Sequence, residues 1–154
     1  MDEIRKLLVI DNDFHSYDTP IALNAAIDSL RQEGKRWTYY LHGQKMGVRA
    51  FESNHYHAVL IDNDFGEGII TLAKLVNDFG AGVPIAYVSA YDIPGLIMQN
   101  EQLLQRSEEP FIHPRDFARL GITHVRKRGN NISKELCVED LRKGLAEFLR
   151  SASS

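Results

Sequence analysis

Two nearly identical stretches of this sequence place an aspartate directly after a run of apolar residues. The first run, LLVI, ends at Asp11 and the second, AVLI, ends at Asp62, and both continue with the letters NDF. Two later predicted strands also end in a polar residue, at Ser89 and at Lys127. Ligands of parallel α/β sheets bind beyond the carboxyl ends of the strands, so these four side chains are candidates for one site.

These candidates favour metal-assisted phosphoryl chemistry. Two carboxylates about 4 Å apart repel by ~1 kcal/mol in water and by ~4 kcal/mol at an effective dielectric constant near 20. A hard divalent cation such as Mg²⁺ relieves that repulsion, because it takes oxygen ligands and keeps several waters. One carboxylate can then attack a phosphoryl donor, while Ser89 and Lys127 hold the oxygens and the charge of the transferred group.

The elements that must position these residues alternate between strands and helices. Buried or β-branched runs predict five strands, at residues 6–11, 36–41, 58–61, 83–89 and 123–127. Helical spacing predicts a helix capped by Asp18 or Thr19 and ended by Gly34, and further helices at residues 43–53, 69–76, 93–105 and 133–150. This alternation predicts an α/β fold, a doubly wound parallel sheet with right-handed crossovers.

The connection between the fourth and fifth predicted strands is longer than such a unit needs. The connection begins at residue 91 and contains the helix at 93–105, then the letters SEEP and HP, and a short helical piece at 115–120. No change of composition marks a second domain. Residues 1–150 are therefore predicted to form one domain, and residues 151–154 a flexible tail.

The composition argues against several other classes of protein. A net charge of −3 and a pI near 6.1 disfavour a nucleic-acid or anionic-membrane partner, and the basic run at 126–128 is too short to change this. No apolar run approaches the ~20 residues of a membrane span. Cys137 is the single cysteine, so we expect no disulfide framework and a cytoplasmic location. The six histidines include no i, i+4 pair, which disfavours a zinc site.

Taken together, these residues resemble the receiver domain of two-component response regulators, here in a stand-alone and divergent form. The resemblance extends over residues 7–149. In that family the first strand ends in an acidic pair, the third in the phosphorylated aspartate, the fourth in Ser or Thr, and the fifth in lysine. The resemblance implies a flavodoxin-like sheet of five strands in the order 2-1-3-4-5, with an enlarged crossover before the fifth strand.

The resemblance assigns a role to each residue at the end of a strand. Asp62 is the phosphoacceptor, Ser89 is the hydroxyl position and Lys127 is the lysine. The spacing between the preceding glycine and this lysine is one residue shorter than usual, which leaves two alternatives. Either Lys127 is the lysine and His124 lies near the switch position of the fifth strand, or Arg128 occupies the lysine site.

The resemblance also implies a magnesium site. Its ligands are Asp11, Asn12, Asp62 and the backbone carbonyl of Asp64. Asn12 stands where the family usually supplies a second carboxylate, so we expect a weakened affinity for Mg²⁺. Two compensations stay open: the amide oxygen of Asn12 ligates the metal, or Asp13 reaches in from the next position.

Three functions are compatible with these residues. The first is a signalling module, not an enzyme beyond its own phosphorylation and dephosphorylation. A histidine kinase or histidine phosphotransfer protein phosphorylates it, and it acts through a downstream protein target or a homodimer. The second is a degenerate receiver that serves as an interaction or dimerisation domain without phosphorylation, which Asn12 and the long crossover favour. The third is a haloacid-dehalogenase-type phosphatase with Asp11 as nucleophile and Asp13 as acid/base, a hypothesis that leaves Asp62 without a role.

Overall fold

Strands and helices alternate through the part of the chain that the structure describes. A computed structural model describes residues 3–16, 18–79, 82–106, 108–127 and 133–154. The strands are β1 (Ile4–Ile10), β2 (Arg36–His42), β3 (Ala58–Asp62), β4 (Ile85–Ser89) and β5 (Thr123–Arg126). The helices are α1 (Thr19–Gln32), α2 (Gln44–Ser53), α3 (Glu67–Phe79), α4 (Ile93–Leu104) and α5 (Lys134–Ala152). Across these ranges, none of the helices combines the length and the apolar character needed to cross a membrane.

The five strands form one parallel sheet in the order β2-β1-β3-β4-β5, which confirms the predicted fold. β1 lies between β2 and β3, and the register pairs Leu7 with Ala58 and Ile10 with Ile61. The next residues along the two strands are Asp11 and Asp62. Parallel pairing in this register therefore brings the two predicted acids to the same edge of the sheet.

Helices cover both faces of the sheet, and the side chains of the central strands alternate between two cores. Leu7 and Val9 of β1 pack in the core beneath α1 and α5, whereas Leu8 and Ile10 pack in the core beneath α2, α3 and α4. All residues of β3 and β4 are buried, as the continuous apolar runs predict for strands covered on both faces. Each fully buried aliphatic side chain contributes about 1.5–3 kcal/mol, so this packing holds the strand ends in place.

The crossover from β4 to β5 differs from the predicted one. Residues 108–113 have no regular secondary structure, and the short helical piece predicted at 115–120 is a 3₁₀ turn at Pro114–Asp116 followed by further turns. Gly121 has a φ of +73°, so the helical course cannot continue into β5. Ile112 and Phe117 are buried, and the Phe117 ring packs against Tyr87 of β4 at a centroid distance of 5.0 Å.

Two of the four residues at 151–154, which are predicted to form a flexible tail, belong to α5. The helix continues to Ala152, and Ser153 is buried. The Trp37 indole Nε1–H donates to Ser153 Oγ at 2.8 Å, and the Ser153 hydroxyl donates to the carbonyl of Leu149 at 2.6 Å. The buried indole of β2 needs a hydrogen-bond partner, and this requirement fixes the end of the chain.

Candidate functional site

Asp11 and Asp62 are buried side by side at the carboxyl edge of the sheet. Asp11 is 5% exposed and Asp62 is 6% exposed. Burial raises the pKa of Asp11 from 3.8 to about 6, although the backbone N–H of Asp13 opposes this shift. Burial likewise raises the pKa of Asp62 to about 7, with Lys127 lowering it and Asp11 raising it further. Both shifts come mainly from burial, which disfavours the charged form of a carboxylate, and the neighbouring acids add to it.

A third carboxylate joins the pair from the loop after β3. The Asp64 side chain offers an oxygen to a group of three carboxylates, with Asp11 and Asp62, whose ligand atoms lie within 4.8 Å of one another. Asp64 and Phe65 have positive φ angles of 42° and 57°, so the chain turns sharply after the strand. The Asp64 N–H donates to Asp62 Oδ2 at 2.9 Å. From the sequence, only the backbone carbonyl of Asp64 was predicted to take part.

Gly68, at the start of α3, makes this sharp turn possible. A Cβ at Gly68 would lie 2.1 Å from the carbonyl oxygen of Asp62. No side chain fits at that distance, so α3 approaches the end of β3 this closely only with glycine at this position. The glycine therefore fixes the loop that carries Asp64.

Gln44 holds the Asp64 carboxylate in place. The side chain is buried at the first position of α2, and its Nε2 donates to Asp64 Oδ2 at 2.7 Å and to the carbonyl oxygen of Asp62 at 2.9 Å. The sequence analysis missed Gln44, because a polar residue in the first turn of a helix is ordinary. Only the packing of α2 beside the carboxyl edge of the sheet gives this residue a place in the site.

The Asn12 side chain bridges two helices instead of lying among the three carboxylates. Its Oδ1 accepts a hydrogen bond from the Gln44 backbone N–H at 2.8 Å, and its Nδ2 donates to Glu67 Oε2 at 3.0 Å. The Asn12 backbone N–H donates to Asp64 Oδ2 at 2.9 Å. Both ends of the amide are thus used to hold α2 and α3, and the backbone of Asn12 orients the third carboxylate.

Lys127 supplies the nearest positive charge. Its Nζ lies 2.5 Å from Asp62 Oδ1, and its backbone N–H donates to the carbonyl oxygen of Ser89 at 2.7 Å. Lys127 follows β5 directly, so pairing of β5 with β4 places the ammonium over Asp62. The alternative lysine position, Arg128, lies outside the described residues.

Ser89 makes a hydrogen bond that joins β4 to β5. Its side chain is 1% exposed, and Ser89 Oγ lies 2.8 Å from His124 Nε2. The same oxygen donates to the carbonyl of Tyr91 at 2.9 Å and accepts from the Tyr91 N–H at 3.2 Å. Burial lowers the pKa of His124, and the neighbouring Arg126 lowers it further. Three hydrogen bonds, with His124 and with the backbone of Tyr91, therefore orient this hydroxyl beside the acidic group.

Hydrogen bonds of Asn63, the residue after Asp62, connect the end of β3 to β4 and α4. Asn63 follows Asp62, and its Oδ1 accepts from the buried Tyr87 hydroxyl at 2.5 Å. The Asn63 Nδ2 donates to Gln99 Oε1 of α4 at 2.7 Å. The sequence analysis did not select Asn63, Tyr87 or Gln99, because their side chains meet only after the sheet and α4 are packed.

These residues border an open cavity of about 270 Å³ at the carboxyl edge of the sheet. Its walls include Asp62 and Asp64, Ser89, and Lys127, together with Asp13, whose side chain lies at the exposed rim. Three carboxylates and one ammonium leave an excess of negative charge beside Asp62. Hard oxygen donors of this kind suit Mg²⁺ and similar cations, so the residues present fit the metal that the resemblance implies.

Comparison with known proteins supports the fold. No protein-family model and no curated protein matches this chain by sequence. The structure is similar to that of a chemotaxis protein from Vibrio cholerae, with a TM-score of 0.50 and 13% identity, covering 97% of this chain and 99% of that chain. It is also similar to a two-component response regulator from Clostridium difficile, with a TM-score of 0.52, 18% identity and coverage of 97% and 99%. At this identity the likeness shows the fold, which is that of receiver domains.

Proposed function

We propose that this chain is a phosphoacceptor signalling module of the receiver type, in which Asp62 takes a phosphoryl group in a Mg²⁺-dependent reaction. One observation carries the proposal. The buried carboxylate of Asp62 lies 2.5 Å from the Lys127 ammonium and belongs to a group of three carboxylates whose ligand oxygens lie within 4.8 Å of one another. Structural stability gives no reason to bury this much negative charge, whereas binding a cation and a phosphoryl group does.

The residues that would hold the metal are Asp11, Asp62 and Asp64. When bound, Mg²⁺ supplies positive charge to the oxygens of the transferred phosphoryl group. At position 12, where an acid that binds the metal is usual, this chain has asparagine. We propose that the Asp64 carboxylate binds the metal in place of that acid. Gln44 and the backbone of Asn12 hold that carboxylate beside Asp11 and Asp62.

The proposed reaction is an in-line phosphoryl transfer to Asp62. A carboxylate oxygen of Asp62 attacks phosphorus, so one O–P bond forms while the bond from phosphorus to the donor breaks and the donor keeps its electron pair. The Lys127 ammonium binds an oxygen of the transferred group, and the Ser89 hydroxyl binds another once its proton turns from the Tyr91 carbonyl to that oxygen. Only ionised Asp62 is a nucleophile, and its pKa of about 7 means that a nearby cation increases the reactive fraction.

Within this proposal the donor is a histidine kinase or a histidine phosphotransfer protein, and output goes through contacts with a downstream protein or a second copy of the chain. The receiver-like fold supports a signalling role of this kind. α4 and β5 border Asp62 through Asn63 and Lys127, so a phosphoryl group at Asp62 would act first on these two elements.

A degenerate receiver, which never carries phosphate, is the second candidate function. The position of Asn12 favours it, because the amide that replaces the usual carboxylate is engaged by α2 and α3. The phosphatase alternative lacks comparable support. Its acid/base residue, Asp13, is exposed and does not belong to the group of three carboxylates.

Phosphorylation by a small-molecule donor separates these functions. The protein is incubated with acetyl phosphate and Mg²⁺, and the intact mass is measured for wild type, Asp62→Ala and Asp13→Ala. We expect a phosphoryl adduct on wild type and on Asp13→Ala, none on Asp62→Ala, and none when the metal is chelated. Absence of an adduct under every metal condition favours the degenerate receiver. Turnover of a phosphomonoester that requires Asp11 and Asp13 favours the phosphatase.

A further inference from the structure

β2 forms one edge of the sheet, and only one side of its backbone has a neighbouring strand. The strand order places β2 outside β1, and the register pairs all of Arg36–His42 with β1. The His42 carbonyl accepts from the Asp11 N–H at 3.0 Å, which shows which residues of β2 face β1. In a parallel pair alternate residues bond to the neighbouring strand, so the even-numbered residues of β2 bond to β1.

The odd-numbered residues of β2 face away from the sheet. Trp37, Tyr39 and Leu41 therefore direct their backbone N–H and C=O groups outwards. Within the described residues, none of these backbone groups takes part in a hydrogen bond to another segment. A row of unpaired backbone groups is a ready template for one more strand. The edge of β2 is thus open to a further extended segment.

β2 lacks the features that usually keep such an edge from pairing. Those features are proline, a bulge, a very short strand, or lysine in the middle of the strand. β2 is 7 residues long, contains no proline, and pairs with β1 residue for residue without a bulge. Its central letters, WTYYL, are aromatic, β-branched or aliphatic, and Arg36 lies at its first position. This composition favours pairing with a further strand.

The segment that carries this edge is basic, in contrast to the chain as a whole. Residues 35–57 contain four basic side chains and one acidic side chain, so they carry a charge of +3 where the whole chain carries −3. Arg36, Lys45 and Arg49 are exposed, and within the described part of the chain no carboxylate pairs with them. Lys45 and Arg49 lie one turn apart on α2, which packs against β1 and β2. An acidic partner would complement this unpaired positive charge.

We propose that the free edge of β2 binds an extended segment of a partner protein in which acidic residues alternate with apolar ones. The backbone of this segment pairs with Trp37, Tyr39 and Leu41 and adds one strand to the sheet. Its acidic side chains lie on the side of α2, where Lys45 and Arg49 lie. Its apolar side chains lie on the opposite side, beside Tyr39 and Leu41, which are half-buried against the core beneath α1 and α5.

Charge favours this occupant over a second copy of the chain. Pairing of β2 with β2 of a second copy about a two-fold axis would place two basic segments side by side. The inference goes beyond the proposed function and does not rest on it, because residues 36–42 contribute none of the carboxylates around Asp62.

Fluorescence anisotropy with labelled peptides measures the binding. The probe is a peptide of alternating Glu and Val. Its matched control alternates Lys and Val, which keeps the tendency to form a strand and reverses the charge. We expect the acidic peptide to bind at least about tenfold more tightly than the basic one. The double variant Lys45→Glu with Arg49→Glu should weaken the acidic peptide by about tenfold, whereas Lys143→Glu, at an exposed position of α5, should leave it within about twofold.

Two N-methylated forms of the acidic peptide separate strand pairing from attraction between charges, and they need no variant of the protein. One form is methylated at every Glu and the other at every Val, so each loses the N–H donors along one edge of the strand. Pairing with β2 uses one edge of the peptide only. One form should therefore bind at least about tenfold more weakly, and the other within about threefold of the parent peptide. Equal affinity of the two forms overturns the proposal.

Amide hydrogen exchange followed by NMR locates the binding. In the free protein the N–H of Tyr39 should exchange at least about tenfold faster than those of Thr38 and Tyr40, which bond to β1, and the acidic peptide should slow Tyr39 selectively. The proposal is overturned if Tyr39 already exchanges as slowly as its neighbours, or if the peptide protects another part of the chain instead.

Three further results overturn the proposal. One is the absence of binding at millimolar peptide. Another is a short DNA oligonucleotide that binds as tightly as the acidic peptide, which would indicate a general anion-binding surface. The third is protection of Tyr39 that rises with protein concentration without peptide, which would assign the edge to a second copy. Each readout uses unphosphorylated protein, so failure here is distinct from failure of the proposed function.

Discussion

The two sides of Asp62 are built in different ways. On the side of β4 and β5, Ser89 and Lys127 come directly from strand ends and lie where the sequence predicts them. On the side of β1, the predicted ligand Asn12 points its amide at two helices, and a carboxylate from the loop after β3 lies beside Asp11 and Asp62 instead. In the regular half of the site, Ser89 and Lys127 follow the strand ends. In the other half, which we call the rebuilt half, the Asp64 carboxylate lies beside Asp11 and Asp62 where the side chain of Asn12 was predicted.

This difference shows which positions a parallel sheet controls. A strand end is fixed by the hydrogen bonds of the strand pairs, so its side chain follows from the register. A loop residue is fixed by local dihedral angles and by its neighbours. Asp64 reaches the site through two residues with positive φ, the close approach of Gly68, and the clamp from Gln44.

The largest effect we expect is a loss of stability with rising pH, which tests whether the rebuilt half needs a cation. Burial raises the pKa of Asp11 to about 6 and of Asp62 to about 7 from an ordinary value of 3.8. Because both folded-state pKa values lie above the unfolded ones, the folded state binds more protons between about pH 4 and pH 7. The contribution of these two groups to the stability of the metal-free protein should be greatest below that window and should fall by several kcal/mol across it, since one pKa unit corresponds to about 1.4 kcal/mol.

Urea unfolding in the presence of a chelator, at about pH 4, pH 5 and pH 8, measures this loss. Added Mg²⁺ should restore stability at about pH 8, where the carboxylates are ionised, and should have little effect at about pH 4. Asp62→Asn is the control, because it removes one of the two groups that titrate and should flatten the pH dependence. Metal-free stability that rises with pH would contradict the excess of negative charge in this half.

The second prediction concerns Asp64 and sharpens the assignment of the rebuilt half. Asp64→Asn keeps an oxygen that can accept from Gln44 and Asn12 but removes the negative charge, so Mg²⁺ affinity should fall about tenfold or more. Asp13→Asn is the matched control, because Asp13 is exposed and outside the group of carboxylates, and it should bind within about twofold of wild type. Calorimetric titration with Mg²⁺ measures both. Equal losses in the two variants would show only a general effect of charge.

The smallest effect we expect comes from substituting Asn12. The substitution should lower the stability of the protein and leave its affinity for Mg²⁺ nearly unchanged. Asn12→Ala removes the acceptor for the Gln44 N–H at the start of α2, which should cost about 1 kcal/mol in urea unfolding. Mg²⁺ affinity should stay within about twofold of wild type for Asn12→Ala and also for Asn12→Asp. A large gain in affinity in Asn12→Asp would place position 12 in the metal site, as the resemblance implies, and would make the two halves alike.

Local patterns were sufficient to predict most of the fold. The apolar runs at 58–61 and 83–89 identified the two buried central strands, and α1 lies between the predicted cap and Gly34. The predicted bounds were least accurate where packing overrides local preference. The helical piece predicted at 115–120 is a 3₁₀ turn at Pro114–Asp116, with Phe117 buried just after it, and α5 extends two residues beyond the predicted end, to Ala152, where Ser153 accepts from the Trp37 indole.

The sequence by itself determined the sheet and the strand-end residues Asp11, Asp62, Ser89 and Lys127. The order of the strands followed from the resemblance. The sheet and these residues follow from hydrophobic period and strand register, which act along the chain or between neighbouring strands. Only the tertiary structure decided that Asp64 contributes its carboxylate and that Gln44 orients it. That choice depends on how α2 and α3 pack against the edge of the sheet, and on bonds between residues about 20 and 52 positions apart, which no local pattern encodes.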